Sequence, residues 1–216
     1  MNVRLLMVAA ALGALAPPAA ARAQTGRLAG RVEARTRAAV EALVDSARAA
    51  GLPGGPLVNK ALEGASKGAD GARIVAAVRT LSRNLARARS ALGSASAEAE
   101  LVAGAAALQA GVEASFLELL RAERRREPVV VSLAVMADLV ANGVPPDTAA
   151  QAVLALARVG TREAELVAFR QSVERDVALG APAGAAASLR LNEGARQAFV
   201  DQANTFAPAN RTPRKP

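Results

Sequence analysis

A chain of 216 residues with 27 Lys and Arg against 19 Asp and Glu carries a net charge of +8, and it contains no histidine, cysteine, tryptophan or tyrosine. Those absences exclude His-dependent triads, thiol nucleophiles and His/Cys zinc sites, and leave carboxylates, lysine, serine and threonine for any acid–base or nucleophilic work. Without disulfides the fold is held by packing, and the basic excess raises affinity for anionic surfaces without naming one.

Residues 1–23 read as a secretory signal peptide. Arg4 gives a positive start, Leu5 to Leu15 is apolar, Pro17-Pro18 breaks any helix, and Ala21-Arg22-Ala23 offers a small-x-small cleavage pattern before Gln24. The apolar run falls well short of the ~20 residues needed to cross a bilayer. Cleavage is expected between Ala23 and Gln24, which would export the mature chain to the periplasm or the exterior. The abundance of alanine, glycine and arginine suggests a GC-rich bacterial coding sequence.

Within the mature chain, 24–216, residues 24–203 read as a single all-α domain of about 7–9 short helices with Gly/Pro joints. The first helix is expected from about Arg27 to Ala50, with Val32, Val40, Leu43, Val44 and Ala47 on one side. Gly51 ends it, and Pro56 suits the first position of the next, which runs to about Lys67. Gly68 closes that helix, and Asp70 is a fitting N-cap for the third, Gly71 to Leu92. There Ile74, Val78, Leu81, Leu85, Ala88 and Leu92 step three and four at a time along one face, and Arg79, Arg83 and Arg87 line the opposite face. Gly93 stops it, and Ser94 or Ser96 is the expected cap of the fourth.

Residues 97–126 could form one helix or two. The echo of other joints in Gly111-Val112 favours a break there. Pro128 is expected to start a helix from Val129 to Ala141, followed by helices at about 146–159 and 161–179. A last helix covers about Pro182 to Ala203, with an interruption possible in principle at Gly194. The Pro-containing basic segment 204–216 has no hydrophobic period and reads as a disordered tail.

The glycine–proline frame repeats. Gly51-Leu52-Pro53 and Gly68 return as Gly143-Val144-Pro145 and Gly160 with the same separation, and Leu62, Val75 and Arg83 fall on Leu154, Val167 and Arg175. This defines a duplicated three-helix unit, about 40–85 and 132–177, with a truncated echo at Gly180-Ala181-Pro182. Stacked helical hairpins of the α-solenoid type bury one stripe per helix, and an orthogonal bundle would use the same pattern.

Catalytic motifs are lacking: there is no phosphate-binding Gly-x-x-x-x-Gly-Lys-Ser/Thr and no dinucleotide fingerprint. Carboxylate pairs occur at Glu98/Glu100, Glu163/Glu165 and Glu174/Asp176. Partners two apart on a helix point about 200° from each other and cannot converge on one bond. Sugar sites also lean on aromatic platforms, and this chain has four phenylalanines alone. Phe116, Phe169 and Phe199 read as core residues. Single-stranded nucleic acid is disfavoured as a partner because no aromatic residues interleave the arginines.

Arg79, Arg83 and Arg87 are the candidate partner-binding surface, for an acidic protein or an anionic envelope component, against the plainer reading of a solvated helix face. Arg124-Arg125-Arg126 is denser but stands at an expected helix C-terminus, where cations complement the dipole. The functional expectation is a non-enzymatic, cofactor-free helical-repeat binding or scaffold protein of the bacterial envelope. Its alternatives are a carboxylate-dependent hydrolase of envelope material and a helical protein in peripheral contact with the membrane.

Overall fold

The computed structural model describes residues 25–206, with side chains through Gly194. The expected signal peptide, most of the expected tail and the Phe199 side chain lie outside what is described. Among the described residues the secondary structure is entirely helical, as the Gly/Pro punctuation requires.

The helices are α1 (Ala34–Ala49), α2 (Gly55–Ser66), α3 (Gly71–Leu92), α4 (Glu98–Gln109), α5 (Ala114–Glu123), α6 (Val130–Ala141), α7 (Pro146–Arg158), α8 (Glu163–Ala178) and α9 (Ala183–Phe206). Packing runs in two rows. In one, α1 meets α3, α3 meets α5, α5 meets α7 and α7 meets α9; in the other, α4 meets α6 and α6 meets α8. The rows are joined by α2 on α1 and α3, α4 on α3, α7 on α6 and α9 on α8. Helices that contact their next-but-one neighbours in this way form a stack in which each buries its apolar stripe between rows.

The joints explain why the helices stop where they do. At the end of α1 the Leu52 N–H reaches the Ala47 carbonyl at 2.9 Å and the Gly51 N–H reaches Arg48 at 2.9 Å, with Gly51 at φ 72°. This Schellman closure needs a left-handed residue, which glycine adopts without steric cost. The same pair of bonds closes α2 at Gly68, α4 at Gly111, α6 at Gly143, α7 at Gly160 and α8 at Gly180. The Gly111 break is therefore real, and α4 and α5 are separate helices.

The two copies of the three-helix unit share part of their packing. As α1 packs on α2 and α3, so α6 packs on α7 and α8. They differ in that α2 packs on α3, whereas α7 packs on α5 and α9, besides α6, and makes little contact with α8. The first copy also begins in one row and the second in the other. The repeated frame thus marks a kind of joint, which recurs at Gly111 and Gly180 as well, more than a position in the stack.

Several expectations are corrected. Residues 27–31 form turns, and α1 starts at Ala34, later than Arg27. Neither Ser94 nor Ser96 caps α4. The N-cap is Ala97, whose N–H is met by the Glu100 Oε2 at 3.1 Å, and the Ser96 hydroxyl turns back to the Leu92 carbonyl at 3.0 Å. The helix after Pro128 begins at Val130, with Val129 as its N-cap. The last helix passes Gly194 unbroken and continues to Phe206, so residues 204–206 are helical where a tail was expected. Asp70 does cap α3, accepting from the Arg73 N–H at 2.9 Å.

The core is aliphatic. Val40, Val44, Leu57, Val78, Leu85, Leu117, Leu133 and Leu166 are fully buried, Phe169 is buried and Phe116 packs half-buried against them. Small residues let the helices approach. A Cβ on Gly104 of α4 would stand 3.1 Å from the Ala88 Cβ of α3 and 3.3 Å from Leu117 of α5. Alanine and glycine at such crossings shorten the interaxial distance that bulkier side chains would hold open.

A candidate binding groove on α2, α3 and α4

The stack leaves a gap over α3. Although α2 and α4 both pack on α3, they do not pack closely on each other. Between them lies a groove of about 1180 Å³. One wall is the face of α2 carrying Gly55, Pro56, Asn59, Lys60 and Glu63, and the other is the face of α4 carrying Glu98, Val102, Ala105, Ala106 and Gln109. The floor is α3, through Ala76, Ala77, Thr80 and Leu81. These positions recur at three- and four-residue steps, so each helix offers a continuous strip. At 1.5 Å per residue the walls run for about 12 Å on α2 and about 16 Å on α4.

The groove is apolar at its centre and polar at its rim. Val102 is exposed on its wall, and Ala76 and Ala106 are exposed too. Beyond α4 a shallower depression continues the apolar surface through Ala99 and Ala103 to Ala134 and Ala137 of α6. At the rim the Glu63 carboxylate accepts from Lys67 at 2.5 Å and from Lys60 at 3.0 Å. The hydrogen bonds from Lys67 and then Lys60 lower its pKa to about 2. At the end of the α4 wall the buried Asn84 amide donates to the side-chain oxygen of exposed Gln109 at 3.1 Å, holding the end of α4 on α3.

The three arginines singled out in the sequence are all exposed on α3. They adjoin the groove. Ala76, Thr80, Arg83 and Arg87 follow one another at steps of four, three and four, a single strip along the helix, so the floor runs directly into the arginines. Arg83 Nη2 donates to the Thr80 hydroxyl at 3.2 Å at that junction. Arg79 lies in a neighbouring depression between α1 and α3, which shares Ala76 with the groove and also contains Arg35, Glu33 and Asp70.

The carboxylate pairs are dispersed into structural roles. Glu100 is buried and holds Arg121 at 2.5 Å and the Val129 N–H at 3.1 Å, while Glu98 stands at the groove rim. Glu165 accepts from the Arg162 N–H at 3.0 Å and from its guanidinium, and Glu163 is exposed beside it. Glu174 is tied to Arg170 and accepts from the Asn142 amide at 3.2 Å; Asp176 receives two bonds of 2.7 Å from Arg190. Across the groove Glu63 and Glu98 stand on opposite walls, and the lysine pair keeps Glu63 ionised. Among the described residues no cluster of Asp and Glu could hold a metal ion, and no helix is long and apolar enough to cross a membrane.

The basic triplet divides. Arg125 and Arg126 are exposed, but Arg124 is buried, donating to the Thr161 carbonyl at the α7–α8 joint and to Glu127 at 2.9 Å. Arg89 likewise reaches a joint carbonyl, that of Gly51 between α1 and α2, at 2.9 Å. Nothing local in three consecutive arginines distinguishes the one that turns inward.

Comparison with protein-family models, with curated proteins and with solved structures finds no match.

Proposed function

We propose that this chain is an exported, non-enzymatic helical-repeat protein of the bacterial envelope that holds a segment of another protein in the α2–α3–α4 groove. The observation that carries the reading is the gap in the stack: two helices rest on α3 without closing over it, leaving Ala76, Ala77, Leu81, Val102 and Ala106 around a trough of helical length. Grooves with apolar floors and polar rims are the usual seats of amphipathic helices. The dispersal of the carboxylates among arginine and backbone partners supports the non-enzymatic side, and the first 23 residues support export.

Selection of helical peptides from a displayed library, against the full mature chain and against Ala106→Trp, tests the groove. Ala106 is exposed on the α4 wall, so an indole there fills the trough without entering the core. Peptides that bind the parent and lose binding to the variant support the reading. A selection whose every product ignores the indole would remove it.

A further inference from the structure

We infer that the occupant of this groove is an acidic amphipathic helix of a protein partner, lying between α2 and α4 with its carboxylates toward Arg79, Arg83 and Arg87. The inference rests on the groove reading above and adds the chemistry of the partner.

Shape sets the first requirement. Walls of about 12 and 16 Å match two to three turns of helix, roughly 8–11 residues. Alanines on the floor and on the α4 wall leave room for leucine- or phenylalanine-sized side chains of a guest, or for close approach of its backbone. An extended peptide would gain less, because the groove offers no strand edge to pair with.

Charge sets the second. Several arginines elsewhere find acids across helices: Arg121 has Glu100, Arg158 has Glu123, Arg170 has Asp138 and Arg190 has Asp176. Among the described residues Arg79 and Arg87 have no ion pair, and Arg83 touches a neutral hydroxyl alone. Arg83 and Arg87 continue the floor strip along α3, and Arg79 stands beside it in the neighbouring depression, so a guest on Ala76 and Thr80 has one flank toward them. Lys60 and Lys67 more than offset the charge of Glu63 on the α2 side. Glu98 remains on the α4 side and favours a basic residue on the guest's other flank, which would fix its orientation.

The test uses fluorescein-labelled peptides of about 14 residues. One carries leucines at helical spacing and glutamates along one flank; its twin carries lysines in place of the glutamates. Anisotropy is measured with the full mature chain, with Arg83→Glu/Arg87→Glu and with Ala106→Trp, each checked for helicity. Three exposed ion pairs predict that the acidic peptide binds about tenfold more tightly than its twin, and that the preference shrinks at high salt. The double reversal should invert the order, and the indole should weaken both peptides. If the indole blocks both peptides while the reversal changes nothing, the groove reading survives and the acidic partner is wrong. If binding follows the arginines but ignores the indole, or if only anionic phosphatidylglycerol vesicles bind, the arginine row acts without the groove and the inference falls. No binding by either peptide would overturn both readings.

Discussion

The carboxylate of Glu100 and the guanidinium of Arg121 meet at 2.5 Å across α4 and α5, and the same carboxylate accepts the Val129 N–H at 3.1 Å and the Ala97 N–H at 3.1 Å. One side chain thus satisfies the start of α4 and the start of α6 and anchors α5. Arg121 in turn donates to the Arg124 and Glu127 carbonyls, which fastens the loop before Pro128. The groove depends on this node, since α4 forms one of its walls.

Replacement of Glu100 by glutamine removes the charge opposite a mostly buried arginine and puts an amide donor where an acceptor is needed. Breaking a buried, hydrogen-bonded charge pair on one side is costly, and the expected loss is about 2–3 kcal/mol of unfolding free energy. Urea unfolding followed by circular dichroism measures it. A double-mutant cycle with Arg121→Gln should return a coupling of about 1–2 kcal/mol.

Acid should act through the same node. Burial raises the Glu100 pKa, but the hydrogen bonds from Arg121, Val129 and Ala97 outweigh it and hold the group below its ordinary 4.5. A carboxyl whose folded pKa is depressed stabilises the fold above its unfolded pKa, and that contribution is lost as pH falls through the folded value. Stability should therefore hold down to about pH 5 and decline below it, with a shallower decline in Glu100→Gln. Urea midpoints measured across that range check the difference. Exposed pairs such as Glu165 with Arg162, though also shifted downward, contribute little because solvent screens them.

Two glycines should respond with opposite signs to alanine. Gly111 sits at φ 100° between α4 and α5, and an added Cβ would meet Pro146 at 3.3 Å. Gly111→Ala is expected to cost about 1–2 kcal/mol through backbone strain. Gly194 lies inside α9 with open space around its Cα, and Gly194→Ala should stabilise by about 0.5–1 kcal/mol through helix propensity. Thermal melts of the two variants, compared with the parent, report both shifts.

Features encoded within one turn of helix were legible in the sequence. The glycine stops, the Asp70 cap and the dry and charged faces of α3 follow from short-range sterics and from 3.6-residue periodicity. The Gly111 break was legible by comparison with its sister joints. The α4 cap was misread because Ser94 and Ser96 have capping side chains, whereas the helix takes its first turn from Ala97 through Glu100. The inward turn of Arg124 and the burial of Glu100 depend on carbonyls and N–H groups dozens of positions away. The groove was hidden for the same reason: a space between α2 and α4 is a property of two separate packings on α3. The arginine row, by contrast, was legible as a surface, though not as the margin of a trough.

The glycine closures also bear on how such a chain can change over generations. Because α1, α2, α4, α6, α7 and α8 are each terminated by bonds to their own last turn, such a joint tolerates replacement of the helix that follows without losing its own geometry. A hairpin inserted or deleted near Gly160 or Gly180 would lengthen or shorten the far end and leave α2, α3 and α4 as they are. Descendants of this architecture can therefore vary in size at the far end while keeping the α2–α4 groove.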